Sequence, residues 1–512
     1  MKNKLLLLAM GTVLSAQTLM AQAPAIEWQK CLGGTFYDGV SSIKQTTDGG
    51  FIVAGTTSSN DGDVSENNGD FDFWVVKLTT NGTIQWQKCY GGSSYDEAFD
   101  IIQTSDGGYI VGGVTQSNDG DVIGNNGNQR GWIIKLYSNG DIQWQIYVGG
   151  QHGSPNKIIQ TVDGGYIVAG SKFCVSPPLL SADLWVIKLT SDGGIQWESC
   201  LGGSSYDVAF DIIQTSEGGY IVAGGTHSYN GNVIGNHGSA DLWVVKLTNN
   251  GSLQWQKCYG GTNMDYAQSI FQTYDGGYIV AGITESNDGD VIGNHGGGDY
   301  WIVKLSNNGL IQWQKCLGGS LTEGMYGTYG PLCVLQDSVD GYILAGTTES
   351  NNGDVSGNNG NYDSWVVKLT IDGNIQWQKC IGGGGTDIAK SILKTLDGGY
   401  IVAGNYGFAD GWLVKLNFNN LSQISNIKND MLISPNPAST QININFNNIT
   451  DLNGGSLKVI NSLGQEVATT PITTSGTQSI MQLATWGGSG MYFVQIINPQ
   501  GQIVDIKKII LQ

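Results

Sequence analysis

The chain contains seven near-copies of one motif, and no other feature constrains its fold as strongly. The motif reads DGGYIVAG in its commonest form, and its copies begin at residues 48, 106, 163, 217, 275, 339 and 397. Two tryptophan-centred segments recur in step with it. One holds Trp28, Trp86, Trp144, Trp197, Trp255, Trp313 and Trp377, and the other holds Trp74, Trp132, Trp185, Trp243, Trp301, Trp365 and Trp412. Three markers that agree on the number seven predict seven copies of one structural unit.

One such unit, residues 95–148, has the pattern of four short strands. DEAFDIIQ and YIVGGVT are apolar runs joined by SDGG, a turn in which glycine supplies a positive φ. WIIKLYS and DIQWQIYV follow, separated by the hairpin signal NG. A single four-stranded sheet cannot bury both of its apolar faces. We therefore expect an all-β fold in which seven sheets pack around an axis as a seven-bladed β-propeller.

The repeats resemble the seven-bladed β-propeller repeats of bacterial secreted proteins in the pattern DGGYIVAG, WVVKL, NG and IQWQK, over residues 26 to about 417. The first segment, IEWQKCLGG, matches a fourth strand that no other three precede. The last, GWLVKLN, matches a third strand that no fourth follows. We expect residues 26–32 to complete the blade of residues 387–417, so that an N-terminal strand closes a propeller spanning residues 24–417.

The two ends of the chain carry segments of another kind. Residues 1–23 combine a basic start, an apolar stretch and a small-residue exit, the pattern of a removed signal peptide. Residues 418–430, FNNLSQISNIKND, are polar and predict a linker. The remaining residues, 431–512, contain several short alternating strands, which predict a small C-terminal β-sandwich.

This C-terminal segment closely resembles the type A C-terminal sorting domain of the type IX secretion system. The matching motifs are SPNP, NSLGQ, GMYFVQ and the final KKIIL. The resemblance implies that the type IX secretion machinery is a partner of the chain. It also implies export across the outer membrane to the cell surface or the surroundings, commonly with removal of the sorting domain.

Charge and hydropathy exclude several classes of partner. The chain has 43 acidic and 24 basic residues and a formal net charge of −19, which disfavours nucleic acid and anionic membranes as partners. After residue 23 no run of about 18 apolar residues occurs, so no transmembrane segment is expected in the mature chain. The eight cysteines are expected to stay unpaired, because six of them occupy the same place in different units. Cys174 and Cys333 are included in that expectation.

The strand order divides the turns between two faces of the disc. The DGG and NG turns lie on one face. The other face carries the loop that leads into each blade, here the interblade loop, and the long loop that contains NDGD. Long loops on a rigid scaffold are common sites of binding residues.

The NDGD loops offer closely spaced carboxylates on a glycine-rich backbone, the type of ligand that Ca²⁺ prefers. The candidate metal ligands are Asp61, Asp63, Asp119, Asp121, Asp288 and Asp290. The alternative is that these residues form simple Asx turns, since the full calcium-loop pattern is absent. Ca²⁺ is the one cofactor that the sequence suggests. The four histidines do not form a spaced metal motif.

Breaks in the repeat are the other candidate sites. The sixth blade has a lengthened interblade loop and the seventh has a shortened long loop, which predicts a notch between neighbouring blades. Tyr326, Tyr329 and Tyr406 lie near it and are candidate ligand-binding residues, because exposed tyrosine often contacts sugars and peptides. Drift of the repeats without a binding site is the alternative.

Two functions are compatible with these features. The first is a non-enzymatic binding or adhesion module for an extracellular glycan or protein. The second is an extracellular polysaccharide hydrolase or lyase that uses interblade-loop carboxylates as acid and base. No nucleophile motif or phosphate-binding loop is present, so no catalytic residue is assigned. Asp38, Asp96, Asp207, Asp265 and Asp387 are the repeated carboxylates of those loops, and a capping role is the alternative for them.

Overall fold

The computed structural model describes most of the repeat region and the strands of the C-terminal segment. The described residues are 22–174, 181–324, 332–338, 341–407, 410–417, 431–434, 441–446, 454–461, 466–472, 479–482, 490–497, 499 and 503–511. The predicted signal peptide lies outside them except for its last two residues, and the predicted linker at 418–430 lies outside them entirely. The chain forms two compact units, Met1–Phe418 and Asn419–Gln512.

The first unit consists of seven antiparallel four-stranded sheets within its described residues, and each sheet is one blade. Blade 1 is β2–β5 (Asp38–Gln45, Phe51–Thr57, Asp72–Leu78 and Ile84–Tyr90), blade 2 is β6–β9 (Asp96–Gln103, Tyr109–Thr115, Arg130–Leu136 and Ile142–Gln151) and blade 3 is β10–β13 (Ser154–Gln160, Tyr166–Phe173, Ala182–Leu189 and Ile195–Leu201). Blade 4 is β14–β17 (Asp207–Gln214, Tyr220–Thr226, Asp241–Leu247 and Leu253–Tyr259) and blade 5 is β18–β21 (Asp265–Gln272, Tyr278–Thr284, Asp299–Leu305 and Ile311–Leu317). Blade 6 is β22–β25 (Cys333–Ser338, Gly341–Thr348, Asp363–Thr370 and Ile375–Ile381), and blade 7 is β26–β28 (Asp387–Lys394, Tyr400–Tyr406 and Asp410–Asn417) with β1 (Ala25–Leu32).

The N-terminal strand closes the ring, as the sequence predicted. Strand β1 pairs antiparallel with β28, the third strand of blade 7, and the register places Trp28 opposite Lys415 and Leu32 opposite Gly411. The first strands β2, β6, β10, β14, β18, β22 and β26 contact one another in that order, and β26 contacts β2. The first strands therefore surround the axis of a closed propeller. Closure pairs β28, which would otherwise be the edge strand of blade 7 and open to association with other strands.

Apolar side chains fill the space between adjacent blades. Trp132 of blade 2 is fully buried, and its ring lies 4.8 Å from the ring of Phe73 in blade 1, between centroids. Its indole Nε1 donates a hydrogen bond of 3.0 Å to Oε1 of Gln145 on the neighbouring strand. Because every blade contributes a tryptophan at this position, the same interface is repeated around the ring. Burial of such large side chains is the main stabilising contribution.

The second unit is a two-sheet β structure. One sheet has the order β29-β30-β33 (Met431–Ser434, Gln441–Phe446 and Ser479–Gln482). The other has the order β32-β31-β34-β35 (Glu466–Pro471, Ser456–Asn461, Gly490–Ile497 and Ile503–Leu511). Ile442 and Ile444 of the first sheet share one apolar core with Leu457 and Val494 of the second. This arrangement confirms the predicted β-sandwich. Among the described residues, no helix is long and apolar enough to span a membrane.

The prediction that all cysteines stay unpaired is wrong. Cys174 and Cys200 form a disulfide with a Cα–Cα distance of 6.2 Å. The expectation compared equivalent positions in different blades, whereas this bond joins two unlike positions of blade 3. Cys174 directly follows β11 and Cys200 lies on β13, so a single strand separates them. The six other cysteines are free, and Cys31 is exposed.

Candidate functional site

The acidic residue of each DGG turn is a structural group. In blade 2, Asp106 Oδ1 accepts hydrogen bonds from the backbone N–H of Gly108 at 2.9 Å and from Thr104 Oγ1 at 2.5 Å. Asp106 Oδ2 lies 2.8 Å from Nζ of Lys135, the lysine of the third strand. Six blades contain such a pair: Lys77–Asp48, Lys135–Asp106, Lys188–Asp163, Lys246–Glu217, Lys304–Asp275 and Lys415–Asp397. In blade 6, valine stands at the acidic position of the turn, and Lys368 pairs instead with Asp337 on the first strand.

These pairs stabilise the face of the disc that carries the DGG and NG turns. Partial burial raises the pKa of Asp106, but the hydrogen bonds from Lys135 and Thr104 outweigh it and lower that pKa to about 2. The carboxylate is thus charged and fully engaged. The sequence motif indicated the turn but not the lysine, although the sevenfold recurrence of WVVKL was a signal that could have revealed it.

The predicted calcium ligands are bonded within their own blades. Asp61 and Asp119 accept backbone N–H bonds of 2.7 Å from Thr35 and Ser93 in the interblade loops. Asp288 accepts one of 2.8 Å from the corresponding residue of blade 5. The backbone N–H groups of the second aspartates, Asp63, Asp121 and Asp290, each donate a 2.9 Å bond to a glycine carbonyl of the same interblade loops.

These hydrogen bonds attach each NDGD loop to the interblade loop of its own blade. Within the described ranges, no three His, Cys, Asp or Glu side chains lie close enough together to hold a metal ion. The exposed carboxylates of Asp61 and Asp119 have lowered pKa values because their oxygens accept hydrogen bonds from the interblade loops. Calcium binding by these residues stays a prediction.

The repeated carboxylates of the interblade loops are buried capping groups. Asp96 is fully buried, and its Oδ2 accepts hydrogen bonds from the Gly92 N–H at 2.8 Å and from Ser117 Oγ at 2.7 Å. Asp38, Asp207, Asp265 and Asp387 are also buried and accept hydrogen bonds from the glycine four residues before them. They occupy separate blade junctions and do not converge on one pocket. The geometry therefore matches the capping interpretation.

The three candidate tyrosines are only partly described. Tyr326 and Tyr329 lie outside the described residues. Tyr406 ends the second strand of blade 7 with 46% of its surface exposed, and its ring lies 5.7 Å from that of Trp412. A role for this residue in binding remains a prediction.

The structure reveals a different candidate site, a cavity on the propeller axis. Six of the seven first strands contain a register shift at their fourth residue or, in β10, at their third, a β-bulge that turns two successive side chains toward the axis. The bulged residues are Ser41, Phe99, Asn156, Phe210, Gln268 and Lys390. They line a cavity of about 280 Å³ together with the residues that follow them. Leu332 takes the corresponding place in blade 6.

A charged network occupies one side of this axial cavity. Lys157 Nζ lies 3.4 Å from Asp100 and 3.7 Å from Asp211, and Lys44 Nζ lies 3.3 Å from Asp100. Burial raises the pKa of Asp100, but Lys157 and Lys44 outweigh it and lower that pKa to about 2. Burial raises the pKa of Asp211 despite the attraction of Lys157.

Backbone groups complete this network. Asp100 accepts hydrogen bonds from Ser42 Oγ at 2.6 Å and from the Ile158 N–H at 3.3 Å. Asp211 accepts them from the Ile270 N–H at 2.9 Å and from Ser269 Oγ at 3.1 Å. Both carboxylates are therefore saturated, and they tie blades 1 to 5 together at the axis.

Sequence reasoning missed the axial cavity because a bulge cannot be recognised from strand propensity. A signal was nevertheless present. The bulged positions differ from blade to blade (Ser, Phe, Asn, Phe, Gln, Leu and Lys in order), whereas the turn and tryptophan positions nearly repeat. At the axis, equivalent positions of the seven blades carry six different residue types, with phenylalanine in blades 2 and 4.

Comparison with known proteins identifies the C-terminal unit. Residues 432–512 match the family described as the secretion system C-terminal sorting domain. No curated protein is significantly similar in sequence to the chain. One similar solved structure is PorZ, an essential bacterial surface component of the type IX secretion system of Porphyromonas gingivalis (11% identity, TM-score 0.38). The match covers 94% of this chain and 60% of PorZ, so the chain spans less than two thirds of that protein.

Two further similar structures are a protein of unknown function from Bacteroides caccae and a puromycin hydrolase. The first is 12% identical with a TM-score of 0.35, over 64% of this chain and 94% of that one. The second is 9% identical with a TM-score of 0.40, over 80% of this chain and 59% of that one. At these TM-scores none of the three supports a functional comparison. The seven blades and the matched C-terminal unit show that the chain is a seven-bladed β-propeller that carries a type IX secretion C-terminal sorting domain. The chain is therefore exported to the cell surface or the surroundings.

Proposed function

We propose that this exported propeller is a non-enzymatic binding module for an extracellular glycan or protein. The supporting observation is the axial cavity, where seven blades of nearly equal structure present seven chemically varied side chains. A closed ring holds these side chains in place, and small-molecule sites typically combine apolar walls with a few fixed polar groups. The long-loop face and its predicted calcium ligands are a second surface that such a module offers to a ligand.

One observation favours a second candidate, a polysaccharide hydrolase or lyase. Asp100 and Asp211 converge on one cavity and their pKa values are displaced in opposite directions, a pattern known from acid–base pairs. These are not the interblade carboxylates that the sequence suggested. Their oxygens are already occupied by hydrogen bonds and by Lys157, which favours a structural role and keeps catalysis as the alternative.

The test is binding of the purified full chain to an array of extracellular polysaccharides, with and without EDTA, with product analysis on each ligand that binds. Binding without release of shorter products is the expected result. Product release that is lost in an Asp211→Asn variant would instead support the enzyme. Absence of binding to any polysaccharide or extracellular protein would contradict the proposal. Loss of binding in EDTA would support the calcium prediction, and unchanged binding would count against it.

A further inference from the structure

The axial cavity contains one cation that the protein leaves uncompensated. Three lysines line it, Lys44, Lys157 and Lys390. Lys44 and Lys157 pair with Asp100, and Lys157 also lies near Asp211. Lys390 is half-buried and makes no hydrogen bond or ion pair with any described residue. The attraction of Glu97 is the only opposing influence on its pKa, which burial lowers.

An uncompensated ammonium at such a site is costly. Removing a charge from water without a partner is unfavourable, and a counter-charge offsets this cost. Lys157, on the equivalent strand of blade 3, shows what compensation looks like, since two carboxylates flank it. Lys390 has the same kind of environment without them. A ligand that brings a carboxylate would supply the missing partner.

A second polar group in the same cavity also lacks a partner. Gln268 Nε2 is shielded from solvent and donates no hydrogen bond to any described residue. Most buried donors in folded proteins have a hydrogen-bond partner, so this amide is available to donate to a ligand in the cavity. Gln268 and Lys390 are both bulge residues, on blades 5 and 7, and both line the cavity. Two unmet donors therefore belong to one site.

Beside the charged network, the rest of the lining contains serine and asparagine side chains and three apolar ones. Phe99 and Phe210 are bulge residues of blades 2 and 4, and Leu332 lies at the corresponding place in blade 6. A ligand that fits all of these walls has an apolar face, hydroxyl groups and an anionic group. The cavity volume of about 280 Å³ is just below the range of roughly 300–1,000 Å³ for small-molecule sites, which limits the ligand to the size of a single sugar residue.

We propose that the axial cavity binds a carboxylate-bearing sugar residue, whose carboxylate pairs with Lys390 and whose hydroxyl oxygen accepts a hydrogen bond from Gln268. The sugar's C–H face packs on Phe99 and Phe210. This inference rests on the proposed binding function and names its ligand class and its site. It requires no bond to be made or broken.

The experiment is titration calorimetry of the full chain with three probes: glucuronate, glucose and acetate. Glucuronate carries both the carboxylate and the sugar hydroxyls, glucose lacks the carboxylate, and acetate lacks the sugar. We expect measurable binding of glucuronate, with glucose and acetate at least tenfold weaker. No binding of glucuronate at millimolar concentration would overturn the proposal, as would equal affinity for all three.

Variants locate the site. Lys390→Met is expected to weaken glucuronate binding at least tenfold, and Gln268→Leu several-fold, while Lys390→Arg retains most of it. Lys394→Met is the matched control, because it lies on the same strand but its ammonium pairs with Asp337 outside the cavity. Equal loss of binding in Lys394→Met and Lys390→Met would overturn the assignment.

Thermal unfolding supplies a readout that does not depend on binding. Since Lys390 is uncompensated, Lys390→Met is expected to melt at the same or a higher temperature than the unchanged chain. A large drop in melting temperature would show that Lys390 is structural, which would overturn the proposal. If polysaccharide binding on the array persists in Lys390→Met, the axial site is wrong while the proposed binding function stands.

Discussion

Lys135 Nζ lies 2.8 Å from Oδ2 of Asp106, with the lysine side chain 2% exposed and the aspartate 55% exposed. The lysine side chain is therefore buried, and its ammonium ends at the partly exposed carboxylate of the turn. The same relationship recurs in six of the seven blades. In those blades it couples the DGG hairpin to the third strand of the same sheet.

Asp106→Ala is expected to destabilise the propeller by about 1–2 kcal/mol. The substitution leaves the buried Lys135 ammonium with the Leu136 carbonyl as its remaining strong acceptor, and hydrogen bonds to charged groups contribute about 1.5–3 kcal/mol, reduced here by the exposure of Asp106. Denaturant unfolding measures the effect. The control is Asp141→Ala, which removes an exposed pair with Lys88 in the same region and should have a much smaller effect on stability. Equal effects of the two substitutions would contradict the structural role.

Asp72→Asn is expected to raise the stability of the propeller at pH 8 and to change it little at pH 4. Burial raises the pKa of Asp72 from 3.8 to about 7, with further contributions from Asp96 and Asp121. Between the unfolded pKa of 3.8 and the folded pKa of about 7, the folded chain retains a proton that the unfolded chain has lost, so stability falls as pH rises. The asparagine remains neutral and removes this loss, by about 1–3 kcal/mol at pH 8.

Melting temperatures of both forms from pH 4 to pH 8 check this prediction. Asp141→Asn is the control, because Asp141 is exposed and its pKa is lowered by a hydrogen bond from Lys88. A parallel pH dependence of the Asp72→Asn form and the unchanged chain would show that Asp72 does not carry the effect.

Reduction of the Cys174–Cys200 disulfide is expected to lower stability by about 3 kcal/mol, because the bond closes a loop of 26 residues in the unfolded chain. Unfolding in the presence and absence of a thiol reductant measures this loss. A Cys174→Ser/Cys200→Ser double variant should lose the dependence on reductant, whereas Cys89→Ser should keep it, since Cys89 is free. Reductant sensitivity that survives in the double variant would assign the effect elsewhere.

Deletion of residues 432–512 is expected to retain the propeller inside the cell in a folded state. The deleted segment matches the sorting domain, and the propeller has its own apolar cores between blades. Cell fractionation and limited proteolysis give the location and the folded state. Export of the truncated chain at the same efficiency as the full chain would contradict the assignment of the sorting function.

Sequence reasoning recovered most of the fold because the repeat carries its own register. Trp74 and its six equivalents each occupy the same place in a sheet, so one unit predicts all seven, and a leftover fourth strand predicts closure by residues 26–32. The disulfide was missed for the opposite reason. Cys174 has no equivalent in other blades, and a comparison restricted to equivalent positions could not pair it with Cys200.

The sequence by itself determined the blade count, the closing strand and the sorting domain, because each depends on local patterns that recur or match along the chain. Tertiary structure alone decided which side chains meet at the axis. Gln268 and Lys390 are far apart in sequence and lie on different blades, and they line one cavity only because a bulge in each first strand turns an extra side chain inward. Ring closure then brings those strands together. The strand propensity of a single segment predicts neither the bulge nor the proximity of these two side chains.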